Sequence, residues 1–192
     1  MIFADLPVQA GFHPELVDRT LATACASQTG IVELWCTDTN RPMTHDLVRR
    51  HGVRVREQTL LVDGLRMTAA FRSALSRTRH ACVVNGHSPA LTIDDLRQAS
   101  GWLRSGGDAV LGPTNAGGCY LIGLRRPVLG LFDDVPGADD SLLQILRERL
   151  RRAGLSCCEL AAYPTDETSD ETSNDPGEVV KATGTEENCA NG

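Results

Sequence analysis

Short apolar runs alternate with amphipathic segments along most of this sequence. Residues 31–36, 81–85 and 119–124 have strand composition, and the apolar run ACVVN at 81–85 suits a central position in a parallel sheet. Residues 14–27 and 139–153 repeat apolar side chains at helical spacing. Strands that alternate with helices in this way predict an α/β fold with a mostly parallel central sheet.

Several residues are typical of helix ends. Thr92 is a predicted N-cap, and Asp95 follows it at the capping-box spacing. Thr44 is a second predicted N-cap, for a short helix that Gly52 would end. The helix predicted over 139–153 begins with acidic residues and ends with basic ones, which suits the helix dipole.

Charge is divided unevenly along the 192 residues. Residues 164–192 hold eight acidic residues and one lysine, which leaves 17 acidic and 18 basic residues in 1–163. We therefore expect one domain over 1–163 and a disordered acidic tail over 164–192. The near-neutral body argues against nucleic-acid binding, and no apolar run reaches the roughly 20 residues of a membrane span. Since the N-terminus has no secretory signal pattern, we expect a cytoplasmic protein.

Three loops follow predicted strands, where open α/β sheets bind their ligands. They are TDTN at 37–40, GHSP at 86–89 and TNAGG at 114–118. The pair Gly117 and Gly118 either admits a ligand close to the backbone or only makes a tight turn. Because the second and third loops follow strands that are neighbours in sequence, the two loops are expected to meet in space.

The stretches VVNGHSPALT (83–92) and GPTNAGGCYLIGLRRP (112–127) resemble the bacterial DUF2064 family, also called selenodomain-associated transferase 1. The resemblance covers roughly residues 12–168, and GLRM at 64–67 is similar to the family's Gly-Glu-Arg-Met helix start. It implies a GT-A-like, Rossmann-like domain related to nucleotide-diphospho-sugar transferases. It also implies a nucleotide sugar as ligand and a divalent cation, Mg²⁺ or Mn²⁺, as cofactor.

The chain departs from the family pattern where that cation would bind. His87 stands where the family has the metal-binding Asp, and Ala116 stands where it has the Asp of Asp-Gly-Gly. The late Asp-x-Asp-Thr survives only in part, around Asp166, the one weak metal-ligand candidate. The family opens with a strand and a basic loop for the phosphates, but residues 1–12 of this chain contain no Lys or Arg. We therefore expect a shortened start without the first strand, unless the true start lies upstream of Met1. Imidazole is a poor Mg²⁺ ligand, so these changes predict loss of the original chemistry.

His87 has three interpretations. It is a general base, a ligand of a transition metal with Asp166 or Asn115, or a loop residue tolerated after the Asp became unnecessary. Asp38 either reaches the site or only shapes its turn. The candidate substrate or nucleotide-binding residues are Asp38, Arg66, Ser88, Asn115, Gly117, Gly118 and Tyr120.

Three function classes follow from these observations. The chain is a glycosyltransferase-like protein with impaired or lost metal-dependent catalysis, an active sugar-nucleotide or nucleotidyl transferase with a divergent site around His87, or a non-catalytic binding or scaffold protein. The sequence does not fix the oligomeric state.

Overall fold

The computed structural model describes residues 2–5, 14–58, 63–86, 88–135 and 141–163. These residues form one seven-stranded sheet flanked by helices. The strands are β1 (Ile2–Asp5), β2 (Val32–Cys36), β3 (Arg54–Glu57), β4 (Ala81–Asn85), β5 (Ala109–Pro113), β6 (Cys119–Leu124) and β7 (Cys157–Glu159). The helices are α1 (Pro14–Ser27), α2 (Pro42–His51), α3 (Asp63–Leu75), α4 (Ile93–Arg104) and α5 (Leu142–Arg152).

The strand order is β3-β2-β1-β4-β6-β5-β7. All described strands run in the same direction except β6, which pairs antiparallel with both β4 and β5. The predicted mostly parallel α/β sheet is therefore confirmed. Helices connect the parallel strands, whereas β5 and β6 are joined directly by the turn at 114–118.

The expectation that the first strand is missing was wrong. Ile2–Asp5 forms the central strand β1, which pairs with β2 on one side and with β4 on the other. Asp5 lies level with Trp35 and Asn85 at the end of this strand. Strand pairing uses the backbone, so the lack of basic residues in 1–12 says nothing about whether these residues pair.

The helices cover both faces of the sheet and enclose two apolar clusters. On one face, α1, α2 and α4 contribute Val17, Leu21, Leu47, Leu96 and Leu103. On the other face, α3 and α5 contribute Ala70, Phe71, Leu143, Leu146 and Leu150. The side chains of β4 alternate between the two clusters, as the period of a strand buried on both faces requires.

Two of the three predicted helix ends are confirmed. Thr92 and Asp95 form both hydrogen bonds of a capping box at the start of α4. Gly52 ends α2 with a left-handed φ of 64°. Thr44, however, is not an N-cap: α2 begins at Pro42, whose fixed φ favours the first helical turn, and the Thr44 hydroxyl donates to the Asp38 carbonyl at 3.3 Å.

Two sequence predictions fall outside the described residues. They are the acidic start of the last helix at 139–140 and the disordered tail at 164–192. Within the described part of the chain, no helix combines the length and the apolar character that crossing a bilayer requires.

Candidate functional site

The three candidate loops all lie at the edge where the parallel strands have their carboxyl ends, which we call the carboxyl edge. The loop at 37–40 follows β2, the loop at 86–89 follows β4, and the turn at 114–118 joins β5 to β6. Neighbouring strands lie about 5 Å apart, so the ends of β2 and β4, separated only by β1, are roughly 10 Å apart. The fold thus brings the loops after β2 and β4 within the span of one small ligand, and the turn at 114–118 lies at the neighbouring strands β6 and β5.

Asp38 shapes the loop after β2. One carboxylate oxygen accepts the backbone N–H of Asn40 at 3.0 Å, and the other accepts Arg41 Nε at 3.3 Å. Its backbone carbonyl accepts the Thr44 hydroxyl. About half of the Asp38 side chain is exposed, and its two oxygens are already used in the turn and an ion pair.

Arg66 lies in the first turn of α3 and is half-buried. The start of this helix packs closely against the segment before α5: a Cβ atom on Gly64 would lie 2.0 Å from the carbonyl oxygen of Phe132. Two turns further along, Phe71 stacks on Phe132 with ring centroids 5.5 Å apart. This close approach gives the glycine of the GLRM stretch a packing role, and it fixes the helix end that carries Arg66.

The loop after β4 is held by backbone contacts on both sides of His87, which itself lies outside the described residues. The carbonyl of Gly86 accepts the Thr20 hydroxyl at 3.1 Å, which ties the loop to α1. Ser88 is buried, and its carbonyl accepts the N–H of Leu91 at 3.3 Å. The catalytic role predicted for His87 remains a prediction.

The turn at 114–118 closes the hairpin between β5 and β6. Gly117 N–H donates to the Thr114 carbonyl at 3.1 Å, and Gly118 N–H donates to the Thr114 hydroxyl at 3.0 Å. Gly117 has a φ of 86°, which favours glycine, and its carbonyl accepts the N–H of Leu143 at 2.9 Å, so α5 begins against the turn. The glycine pair therefore serves a tight turn, while Asn115 at its tip is exposed.

Tyr120 is buried in the apolar cluster beneath this edge. Its ring centroid lies 4.4 Å from that of Tyr163, and its hydroxyl donates to the Ala161 carbonyl at 3.5 Å. Burial raises the pKa of Tyr120, so its hydroxyl stays protonated at neutral pH. Tyr120 thus lies below the loops and is not part of their exposed surface.

Sequence reasoning missed a polar cluster beside the turn. The Asp95 carboxylate accepts the backbone N–H of Thr92 at 2.9 Å, and it also accepts the hydroxyls of Thr92 and Tyr163. Tyr163 continues from β7 and pairs with the hairpin turn, since its carbonyl accepts the N–H of Asn115 at 2.8 Å. Burial raises the pKa of Tyr163, which keeps this hydroxyl a donor. The capping-box pattern identified Asp95 and Thr92 but gave no sign of Tyr163.

Gln58 is a second buried polar group that the sequence did not single out. It follows β3 directly, is 6% exposed, and donates its backbone N–H to the Cys36 carbonyl at 2.8 Å. Its side-chain Oε1 has no hydrogen-bond partner in the part of the chain that the structure describes. An unpaired acceptor buried at this edge is costly, and a ligand donor would relieve that cost.

The described side chains at this edge show no ready-made site for a divalent cation. The Asp38 and Asp95 carboxylates already accept hydrogen bonds from protein groups. Across the described ranges, no three His, Cys, Asp or Glu side chains lie close enough to hold a metal ion. The weak metal-ligand candidate Asp166 lies outside those ranges.

The comparisons with known proteins agree with this architecture. A candidate nucleotide-diphospho-sugar transferase from Desulfovibrio desulfuricans G20 is 19% identical with a TM-score of 0.65, over 85% of this chain and 79% of that chain. The 4-diphosphocytidyl-2C-methyl-D-erythritol synthase of Anaerococcus prevotii DSM 20548 is 12% identical with a TM-score of 0.58, over 83% and 88%. CMP:2-keto-3-deoxy-manno-octonic acid synthetase complexed with CTP is 14% identical with a TM-score of 0.54, over 85% and 88%.

Similarity at these identities shows the fold, which is the GT-A-like fold of nucleotide-diphospho-sugar transferases and cytidylyltransferases. The comparison with curated proteins finds no match. A family model described as an uncharacterized protein conserved in bacteria, DUF2064, matches residues 20–138. Because that match covers more than half of the sequence, the chain belongs to the DUF2064 family.

Proposed function

We propose that this protein is a nucleotide-sugar-transferase-like binding protein whose metal-dependent transfer is impaired or lost. The ligand would be a nucleotide or nucleotide sugar at the carboxyl edge, contacted by the loops after β2 and β4 and by the turn at 114–118. The observation that carries the proposal is the state of two carboxylates at this edge: those of Asp38 and Asp95 are bonded to protein donors.

Two further observations support the ligand class. One neighbour in fold is CMP:2-keto-3-deoxy-manno-octonic acid synthetase complexed with CTP, and another is a candidate nucleotide-diphospho-sugar transferase. In this chain, the exposed Asn115 and the buried Oε1 of Gln58 are polar groups able to bind a base, ribose or sugar hydroxyl. Arg66, at the start of α3, is a candidate phosphate contact.

The loss of metal chemistry follows from the residue types at two positions. A leaving diphosphate is ordinarily neutralised by a hard cation, which prefers carboxylate oxygens. His87 and Ala116 replace the two family aspartates, which removes two negative charges from the loop after β4 and the turn. The proposal therefore expects nucleotide binding that does not depend on Mg²⁺ or Mn²⁺.

Calorimetry tests this directly. UDP-glucose, GDP-mannose and CTP are titrated into the protein with and without MnCl₂ at constant ionic strength. The proposal expects dissociation constants that differ by less than about twofold between the two conditions, since His87 and Ala116 replace the carboxylates that would recruit the cation. Micromolar binding that requires Mn²⁺ would overturn it.

A gain-of-function variant sharpens the test. The double substitution His87→Asp with Ala116→Asp restores both family aspartates and should make nucleotide-sugar affinity at least tenfold tighter in Mn²⁺ than in its absence. Asn115→Asp adds a carboxylate to the same turn at a neighbouring exposed position, and we expect it to gain no such dependence. Equal behaviour of the double variant and this control would contradict the metal argument.

The divergent-site alternative has its own experiment. If His87 is a general base in a working transferase, the unaltered protein hydrolyses or transfers a nucleotide sugar and His87→Ala abolishes that turnover without changing the unfolding transition. Turnover that His87→Ala leaves unchanged would remove His87 from the reaction.

A further inference from the structure

A second concave surface lies at the opposite edge of the sheet, where the parallel strands begin. It is a cleft of about 830 Å³ between the residues that precede β2, β4 and β5 and those that follow β6. A volume of this size is in the range of small-molecule sites. The cleft shares no residue with the carboxyl edge, and the proposed nucleotide site does not use it.

The cleft is positively charged. Four of its described lining residues are basic, namely Arg79, His80, Arg104 and Arg125, and none is acidic. Arg125 donates to Asp108 at 2.7 Å and is held at the rim by that pair. Arg79 and Arg104 form no ion pair with any other described residue. Two guanidinium groups on one concave surface match a dianion.

The ends of the helices do not account for this charge. Arg104 lies in the last turn of α4, where a cation offsets the partial negative charge of the helix end. That charge is roughly half an elementary charge, so Arg104 keeps an excess of positive charge. Arg79 lies beyond the end of α3 and has no such role.

His80 adds a polar group deeper in the cleft. It is half-buried, and its Nε2 lies 3.5 Å from the hydroxyl of Ser100. Burial lowers the pKa of His80, and the nearby charge of Arg104 lowers it further, so the imidazole is neutral at pH 7. A neutral imidazole presents one hydrogen-bond donor and one acceptor, which suits a phosphate oxygen or a hydroxyl.

Part of the cleft surface is apolar. Ile31, which precedes β2, is 47% exposed there, whereas Leu103 of α4 lies behind the lining and is only 1% exposed. The space is much larger than a single phosphate group needs. A ligand that fills it therefore has an organic body beside its anionic group.

From this arrangement we infer that the cleft at the amino ends of the strands binds a phosphate monoester of a small organic molecule. Arg79 and Arg104 hold the phosphate dianion, His80 hydrogen-bonds to the ligand, and Ile31 contacts its organic part.

The experiment uses the full chain and three probes: glycerol 3-phosphate, inorganic phosphate and glycerol. Calorimetry at constant ionic strength should show saturable one-to-one binding of glycerol 3-phosphate, weaker binding of inorganic phosphate and none of glycerol. In the unaltered protein, the ring signals of His80 should shift on titration with glycerol 3-phosphate. That readout locates the ligand without any substitution.

Variants then assign the contacts. Arg79→Gln and Arg104→Gln should each weaken glycerol 3-phosphate binding about tenfold, the loss expected for one charge-assisted hydrogen bond. Arg97→Gln removes an exposed arginine from the same helix outside the cleft and should leave binding unchanged. The inference is overturned by the absence of saturable binding, by binding that survives the double Arg79→Gln, Arg104→Gln substitution, or by unmoved His80 signals. Inorganic phosphate binding as tightly as glycerol 3-phosphate would overturn the organic part of the assignment.

Discussion

Replacing Glu33 with glutamine tests the ion-pair cluster that holds β2 in place. Glu33 is fully buried and is the second residue of β2. Its carboxylate accepts Arg77 at 2.8 and 3.2 Å, Arg56 twice at 3.3 Å, and the indole N–H of Trp35 at 3.3 Å. The cluster therefore joins β2, β3 and the connection between α3 and β4.

The magnitude follows from how each partner is solvated. Breaking a buried ion pair by removing one charge costs about 3–5 kcal/mol. Here the two arginines are 42% and 32% exposed, so water compensates part of their loss. Glutamine also keeps one acceptor oxygen. We therefore expect Glu33→Gln to lower the free energy of unfolding by about 3 kcal/mol, which lowers Tm by roughly 6–12 °C in a protein of this size.

The effect of pH has a defined sign. Burial acts to raise the pKa of Glu33, but the hydrogen bond and the charge of Arg77, with the charge of Arg56, outweigh it and hold that pKa below its ordinary value of 4.5. A carboxyl group whose pKa is lowered by folding stabilises the fold above its unfolded-state pKa, and the contribution disappears as pH falls through the folded-state pKa. The difference between the two proteins should be complete at pH 7 and should shrink below about pH 4.5.

Urea denaturation at pH 7 and at pH 4 provides the measurement. Asp46→Asn is the matched control, because it makes the same carboxylate-to-amide change in an exposed pair with Arg49, 2.9 Å long. That control should cost less than about 0.5 kcal/mol. A Glu33→Gln effect below about 1 kcal/mol at pH 7, or one that does not shrink on acidification, would refute the reasoning.

Two further predictions concern the supports of the carboxyl edge. Gly64→Ala places a Cβ 2.0 Å from the Phe132 carbonyl oxygen and should cost about 1–3 kcal/mol. Gly101→Ala is the control, because a Cβ there meets nothing within 4 Å inside α4, and it should raise the free energy of unfolding by about 0.5–1 kcal/mol. Equal effects of the two substitutions in urea denaturation would contradict the packing role of Gly64. Tyr163→Phe removes a hydroxyl donor from the Asp95 carboxylate and should cost about 1–3 kcal/mol, and an unchanged denaturation midpoint would argue against that hydrogen bond.

Local signals explain which elements could be predicted from the sequence. The bounds of α1, β4 and β6 agree with the predicted segments, because their apolar patterns are unbroken. The capping box of α4 depends on residues three positions apart, and Gly52 depends only on its own backbone freedom. Each of these features is set within a few residues of sequence.

The features that could not be predicted depend on distant partners. The strand Ile2–Asp5 is only four residues long and is stabilised by pairing with both β2 and β4, so it carries no periodicity of its own. The hydrogen bond from Tyr163 to Asp95 joins residues 68 positions apart. The loops at 86–89 and 114–118 were expected to meet, and the pairing of β4 with β6 does place them at one edge. That pairing is antiparallel, which the sequence did not reveal.

The strand β4 runs between the two candidate sites, because His80 precedes it in the cleft and Ser88 follows it at the carboxyl edge. Its five residues span about 17 Å of strand that is hydrogen-bonded on both sides. Changes that far apart without shared partners are usually additive in free energy. Substitutions in the cleft and at the carboxyl edge can therefore be combined in one molecule, and any departure of their binding effects from a simple sum would measure communication through this strand.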